Sequence, residues 1–495
     1  ISKQILPLPL LWVLPLVVYL LTFVLCFSKG ITYSKWFFVF HVLACWLCYY
    51  TYENMSYVYK IISSLVLLFS SCMICNSKLY GLRPSIDRLT LYYVWIAIGG
   101  FFGSFITTIV SSYFFVNYEE YELSLLLVLL ASLFASPISK RSGASKLILL
   151  VVYIVLSFIF FKDLLKFNYI NTLVYKTIWS VFIAYILYVV FLFFKGSYNT
   201  YTLAKNIFLL LVCSSSILLL SNKLNRKRGV NVYNYRNFYG AVKVLFRIDS
   251  DGSGARYAID HSGIIHGSQF INDRRQATKY YRKDTALGKL LTHSYDKNIK
   301  VALVGLGVGT LASYAKDRDE YIFYEIDKEI INLSIKENKF FSYVTDARKR
   351  GAKIDILEGD ARHLLEKQSM IKSQAYDVIV LDAFLSDSIP VHLMTSEAFS
   401  LYKYHLNPNG VIAIHMSNKY IDLKPIILLH ANKMKMNYSF STSNIGYYSE
   451  WMLLSKDRLL LESLHVKSLN LSSISPVKEF SDEYNSVLGL IKYKF

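Results

Sequence analysis

Between Val301 and Asp382 the chain sets out four short apolar runs, and each stops at a glycine turn or a carboxylate. Val301 to Val304 reads as a buried strand that breaks into Gly305, Gly307 and Gly309, and a helix is expected from Thr310. Twenty residues after Gly305 a second strand ends on Glu325 and Asp327, a third ends on Asp360, and a fourth, Tyr376 to Leu381, ends on Asp382. In an open parallel sheet the carboxyl ends of the strands line the ligand crevice. The spacing therefore puts at least three carboxylates around one site. A dinucleotide fingerprint needs G-x-G-x-x-G, with a helix N-terminus facing the pyrophosphate, but here the third glycine comes one residue early. A G-x-G-x-G loop suits S-adenosylmethionine-type ligands better, with an acid closing the second strand for the ribose hydroxyls and an Asp after the third for the adenine amine.

The rest of the chain is organised differently. It has 495 residues, 54% of them hydrophobic, with 40 Tyr and 32 Phe, and the apolar residues concentrate before residue 222. A bilayer crossing takes ~20 apolar residues. Candidate runs are Leu6 to Phe27, Trp36 to Tyr52, Tyr57 to Cys75, Leu89 to Val116, Leu123 to Ile138, Leu147 to Phe161, Leu173 to Phe194 and Tyr201 to Leu220. Residues 1–222 thus read as a polytopic α-helical membrane domain of seven or eight helices. Charges inside these runs are few, Lys60, Lys176 and Lys205 in first turns and His41 and Glu53 near run ends, which favours an anchor or an apolar ligand site over active transport. The formal net charge of +19 raises the question of nucleic acid. Lys and Arg crowd the loops Ser139 to Lys146 and Asn222 to Arg228 instead, where they anchor helices and meet anionic lipid, so no nucleic-acid partner is expected. All six cysteines lie in the apolar half. Two pairs have C-x-x-C spacing without nearby His or acidic partners, which fits packing rather than metal or redox work.

After a basic hinge the pattern changes to alternation. Residues 223–284 read as a hinge and a small antiparallel β unit: Val242 to Ile248 outward, a turn at Asp249 to Gly254, Tyr257 to Ile259 back, a turn at His261 to Gly263, then Ile264 to Phe270. Residues 285–460 read as an α/β doubly wound, methyltransferase-like Rossmann domain. Its helices are expected at Thr285 to His293, Lys328 to Lys339, Arg362 to Lys367 and Ser396 to Tyr404, and Asn407 to Gly410 is read as a turn before a strand at Val411 to His415. Residues 461–495 are a tail, read as a helix or a loose end.

Residues 230 to 457 resemble the spermidine synthase group of aminopropyltransferases, in particular its membrane-fused bacterial branch, in which a transporter-like domain precedes the synthase. The matching pieces are Arg236 to Gly240, His266-Gly267-Ser268-Gln269, Tyr280-Tyr281, the glycine loop, Tyr324 to Asp327, Gly359 to Arg362 and Leu381 to Phe384. Pro9 to Leu16 resembles a stretch mid-way through the membrane region of that branch, which implies further spans upstream. The resemblance implies transfer of an aminopropyl group from decarboxylated S-adenosylmethionine, or a related adenosyl sulfonium, to putrescine or a similar amine, with release of methylthioadenosine. It implies a catalytic pair, Asp382 and Tyr281. Gly305, Gly307, Gly309, Glu325, Asp360, Ala361 and Gln269 would bind the nucleoside donor, and Asp387, His266 and Tyr280 would bind the amine substrate. Asp327 is expected to be solvated or structural. The implied setting is an integral protein of the bacterial inner membrane, in contact with the lipid bilayer, its catalytic domain cytoplasmic and its assembly a homodimer.

Two positions depart from the family pattern. Val308 stands where classical members carry an acid that grips the ammonium of the aminopropyl arm, and Leu385 stands where soluble members carry an acid three residues after the catalytic Asp. Alternative readings are an S-adenosylmethionine-dependent methyltransferase, a self-cleaving S-adenosylmethionine lyase, and a non-catalytic nucleoside-binding membrane sensor or transporter. His363, His392, His405 and His415 are scattered without metal-ligand spacing, and no metal is expected.

Overall fold

A computed structural model describes residues 13–55, 57–116, 118, 120–134, 229–248, 254–261, 264–293, 297–335, 339–383, 390–418, 421–443, 448–464 and 477–492. The chain separates into a helical unit and an α/β unit.

In the helical unit the first five apolar runs form Val13–Lys29, Lys35–Asn54, Tyr57–Gly81, Leu89–Phe105 and Glu120–Phe134, and Leu89–Phe105 continues through a π-helical segment, Ile106–Val110, into Ser111–Phe114. Polar side chains inside the packed helices pair with one another: Asn76 Nδ2 donates to Thr22 Oγ1 at 3.1 Å, His41 Nδ1 lies 2.9 Å from Ser70 Oγ, and Thr51 lies 2.7 Å from Ser63. Buried polar atoms left unpaired would be costly, and here neighbouring helices satisfy them. Large apolar side chains such as Trp95, Phe101 and Phe114 face outward. Among the described residues two helices, Val58–Gly81 and Ile86–Phe114, are long and apolar enough to cross a membrane by length and composition. The runs expected at Leu147 to Phe161, Leu173 to Phe194 and Tyr201 to Leu220 lie outside the described residues.

In the α/β unit, strands β1 (Val230–Asn237), β2 (Gly240–Ile248), β3 (Ala255–His261) and β4 (Ile264–Phe270) form a four-stranded sheet in that order. β2, β3 and β4 pair antiparallel as their alternation predicts, with an irregularity at Ile259/Asp260. β1 has an exposed first half, Val230 to Tyr233, so its apolar residues there mark no buried face, and the sequence reading places no strand there.

The larger sheet comprises β5 (Lys300–Val304), β6 (Glu320–Glu325), β7 (Lys353–Glu358), β8 (Tyr376–Leu381), β9 (Leu406–His415), β10 (Asn437–Ser443) and β11 (Ser449–Ser455). The order is β10-β11-β9-β8-β5-β6-β7. β7, β6, β5, β8 and β9 are parallel neighbours, while β11 joins antiparallel to both β9 and β10, so the sheet is mixed at one edge. Val301, Ala302, Leu303 and Val304 are buried, as are Val378 to Leu381, and such continuous apolar runs mark strands covered on both faces. After β7 the chain returns to pair β8 on the far side of β5, which makes the gap between β5 and β8 the topological switch point.

Three local expectations change. The segment after the glycine loop is a buried 3₁₀ turn, Thr310–Tyr314, because three positive-φ glycines leave only a short stretch that packs beneath the helix Tyr343–Lys349. Asn407 to Gly410 stay within β9 as a bulge: Tyr376 pairs Leu406 while Val378 already pairs Val411, and Asn407 Nδ2 donates to Asp377 Oδ1 at 2.8 Å. Turn chemistry here bends a strand rather than ending it. The tail carries a helix, Arg458–Ser463, and a segment, 477–492, anchored along its length. Phe480 is buried and its carbonyl accepts from Ser396 N–H at 2.8 Å, Arg362 grips Asp482, and Ile421 bridges Ile491. Phe480→Ala is expected to make residues 477–492 the first site of limited proteolysis while the sheet domain keeps its melting temperature; an unchanged cleavage pattern would mean the anchor lies elsewhere.

Candidate active site

The glycine loop sits at the switch point. Gly305, Gly307 and Gly309 have φ of 99°, 55° and 76°, and a Cβ on Gly305 would lie 2.7 Å from the Asp382 carbonyl oxygen. Only glycine lets the loop pass this close to the end of β8. Asp382 N–H donates to Val304 O at 3.1 Å, and Gly305 N–H to Tyr324 O at 2.9 Å, so the loop and two strand ends form one rim.

Glu325, at the end of β6, turns back onto that loop. Its Oε2 accepts from Leu306 N–H and its Oε1 from Asp327 N–H, both at 2.9 Å. Burial raises its pKa despite these two donors. Asp327 is structural: it is buried, accepts from Tyr235 OH at 3.0 Å, and caps Glu329 N–H at 2.9 Å.

Asp360 caps the helix Ala361–Ser369. Its Oδ1 accepts from His363 N–H at 3.0 Å and its Oδ2 lies 2.9 Å from His392 Nε2. The hydrogen bond from His392 is the first reason its pKa is lowered. Ala361 is buried at the first position of that helix. His392→Ala should therefore raise the Asp360 pKa toward the ordinary carboxylate range. The Asp360 contribution to stability, present above its unfolded pKa and lost as pH falls through the depressed folded value, should then shrink. Carboxyl NMR titration reads the shift, and an unmoved titration would refute the pairing.

Asp382 is the buried centre of the rim. Tyr281 OH donates to its Oδ2, and its Oδ1 lies 2.7 Å from His415 Nδ1. Their side chains are buried, at 7% exposure for Asp382 and 5% for His415. Burial and the Asp382 charge push the Tyr281 pKa well up, so the phenol stays protonated as a donor. His415 ends β9 and lies between two rings, Tyr280 at 4.4 Å and Trp451 at 4.8 Å between centroids, both nearly parallel to it. Its Nε2 lies 2.8 Å from Ser417 Oγ, which also accepts from Glu450 N–H at 2.7 Å. Tyr280 is fixed through its own OH to His266 O at 2.6 Å and through its carbonyl to Trp451 Nε1–H at 3.1 Å.

The structure thus brings together Gly305, Gly307, Gly309, Glu325, Tyr280, Tyr281 and Asp382. Gln269 is buried and its amide is engaged elsewhere: it donates to Arg274 O at 2.6 Å and accepts from Ser342 N–H at 2.8 Å, tying β4 to the start of the helix Tyr343–Lys349. His266 Nε2 is buried without a hydrogen-bond partner among the described residues, and burial lowers the ring's pKa to about 3. Asp387 lies outside the described residues, as does Leu385. Val308 is buried, and Gly267 faces it so closely that a Cβ there would lie 2.7 Å from Val308 Cγ2. No group of three potential metal ligands occurs among the described residues. Sequence reasoning does not single out His415, Ser417 or Trp451 as site residues. The available signal is the position of His415 at the end of the strand that neighbours β8.

Residues 284–456 match the model of the spermine/spermidine synthase domain. The C-terminal part of this chain is a spermine/spermidine synthase domain. Within it, the chain is 28% identical over 162 residues to the "Probable polyamine aminopropyl transferase" of Bifidobacterium longum (strain NCC 2705), covering 32% of each chain. It is 30% identical over 118 residues to the "Polyamine aminopropyltransferase" of Vibrio vulnificus (strain CMCP6), covering 23% of this chain and 36% of that one. The matches span about a third of the length of these curated relatives. Among solved structures, a spermidine synthase of Corynebacterium glutamicum ATCC 13032, titled as probable, aligns over 47% of this chain and 81% of its own, with 17% identity and a TM-score of 0.35.

Proposed function

We propose that this chain is a membrane-attached alkyltransferase that moves an aminopropyl group from an adenosyl sulfonium donor, decarboxylated S-adenosylmethionine or a relative, to a polyamine-type amine, releasing methylthioadenosine. The observation that carries the reading is the buried Tyr281–Asp382–His415 cluster beside the glycine loop. A sulfonium already makes its neighbouring carbon electrophilic, so the protein need only hold an uncharged amine in line with it. Amines are protonated at neutral pH, and Asp382 is the carboxylate that takes the proton from the attacking nitrogen. Tyr281 orients that carboxylate. Glu325 holds the ribose, Asp360 the adenine edge, with Ala361 beside it, and Gln269 acts as a brace of the rim. His266 and Tyr280 line the amine side, where Asp387 is the candidate partner of a distal ammonium.

The apolar helices support a bilayer setting, because outward Trp and Phe side chains on helices of that length are solvated by lipid. The inner-membrane location, the cytoplasmic face and a homodimer belong to this reading as well. Val308 favours a second reading of the donor: packed against Gly267, it offers the cationic arm no carboxylate. Charge-assisted hydrogen bonds of that kind contribute roughly 1.5–3 kcal/mol, so intact S-adenosylmethionine, cleaved without an acceptor, is the competing substrate.

The purified protein, incubated with S-adenosylmethionine or its decarboxylated form, with and without putrescine, separates these readings by nucleoside mass. Methylthioadenosine that requires both the decarboxylated donor and an amine is the expected result. The same product from either donor without an amine would favour self-cleavage, and S-adenosylhomocysteine would replace the proposal with methyl transfer. Glu325→Gln should weaken methylthioadenosine binding by roughly tenfold, the loss of one charged acceptor. It should leave stability at neutral pH unchanged or higher. The pKa of Glu325 is raised in the fold, so its stabilising effect is present at low pH and is lost as pH rises through that folded value. An unchanged dissociation constant in calorimetry would sink the ribose assignment.

A further inference from the structure

We infer that His415 is the positioning and proton-relay residue of Asp382, and that Ser417 is its outlet. The inference rests on the transfer reading above and adds to it a route for the proton. Alkylation of an ammonium substrate releases one proton per turnover, and a buried carboxylate that has taken it must pass it on before the next cycle. Among the described residues, Asp382 has two hydrogen-bonded neighbours that could receive it. Tyr281 already donates its own proton to Oδ2, so it is a poor acceptor. His415 Nδ1 lies 2.7 Å from Oδ1, and its Nε2 lies 2.8 Å from the Ser417 hydroxyl on the side away from Asp382. An imidazole with both nitrogens engaged in this way can accept at one and release at the other.

The balance of the step is complete without a further reactant. The amine proton moves to Asp382, and the freed nitrogen lone pair forms the new C–N bond. The C–S bond breaks with its electron pair going to sulfur, which leaves as a neutral thioether, while the nitrogen product keeps the positive charge. Starting from the Nε2–H tautomer of His415, Asp382 passes its proton to Nδ1, Nε2 gives one up to Ser417 Oγ, and the Ser417 hydroxyl proton goes to water. The imidazole returns to the Nε2–H tautomer before the next turnover. The rings of Tyr280 and Trp451 hold the imidazole face to face, so its two nitrogens stay aimed at Asp382 and Ser417. The titratable groups around it are Asp382 and Tyr281 on one side, Tyr280 and His266 from the small sheet and its following turn, and Glu450 on β11, itself 3.8 Å from Lys492 of the tail.

Three variants test this: His415→Gln, which can donate to Asp382 and cannot carry a proton, His415→Ala, which opens a ring-sized slot, and Ser417→Ala. Methylthioadenosine release is followed by mass across pH, in H2O and D2O, with methylthioadenosine affinity by calorimetry as the check on folding. The expected result is a kcat at least tenfold lower in His415→Gln, within the range of general acid–base effects, with nucleoside affinity held within twofold and a larger solvent isotope effect. Added imidazole should restore His415→Ala in a saturable manner, and Ser417→Ala should lose several-fold in kcat. A His415→Gln enzyme with wild-type kcat and pH profile would overturn the inference while leaving the transfer reading intact. If neither His415 variant folds, an unchanged kcat and isotope effect in Ser417→Ala overturns it. A wild-type chain that releases no methylthioadenosine from any donor and amine overturns the transfer reading and this inference together.

Discussion

Asp382→Asn is expected to lower kcat by about 10²- to 10⁴-fold, the range for loss of a positioned general base, while nucleoside affinity stays within a few-fold. Tyr281 can still donate to the amide oxygen, so the side chain should keep its place between Tyr281 and His415. What is lost is the carboxylate at the end of β8 that can take a proton from an amine. The amide nitrogen can donate to His415 Nδ1, the same nitrogen that accepts the proton in the relay, so the contact is kept while the group that takes up and passes on a proton is gone. Single-turnover release of methylthioadenosine, compared with binding measured separately, checks the claim. Loss of affinity equal to the loss of rate would make Asp382 a ligand contact instead of a base.

Gly305→Ala has the second large effect, and it acts on the fold and the site together. Gly305 has φ of 99°, a region that residues with a Cβ rarely occupy, and the added carbon would lie 2.7 Å from a backbone oxygen of Asp382. Strain of this sort costs about 1–3 kcal/mol before the clash is relieved, and relief can only come by moving the end of β8. We expect a loss of about 3 kcal/mol or more in urea unfolding and nucleoside binding too weak to saturate. Gly307→Ala is the control, since nothing lies within 4 Å of its Cβ position. If both variants unfold at the same urea concentration, close approach to Asp382 is not what constrains the loop.

Much of the site is legible in the amino-acid sequence because its parts are local. A buried parallel strand is a continuous apolar run, and its end is marked by the first glycine or carboxylate; Gly305, Glu325 and Asp382 each stand at such an end, while Asp360 follows the half-exposed edge strand β7. The antiparallel strands β2, β3 and β4 are legible for the same reason, since alternation and turn residues are encoded within a few positions. At Thr310 and at Asn407 to Gly410 the fold departs from the local signal because local preference there competes with packing: one segment lies buried under a helix, the other is pinned by the register of β8 and β9.

What the sequence by itself determined is therefore the inventory: an apolar first half, helical where it is described, a small antiparallel sheet, a glycine loop, and carboxylates after β6, β7 and β8. Tertiary structure alone decided who meets whom. Tyr281 and His415 lie 101 and 33 residues from Asp382 along the chain, and they reach its two oxygens only because β8 lies between β5 and β9 in the sheet. The same is true of Trp451, carried to His415 by a strand that pairs antiparallel, and of Val308, sealed by a glycine on the other sheet. Periodicity and turn chemistry act over a few residues, whereas a hydrogen bond between strands depends on sheet order, which only the packing of the whole domain fixes.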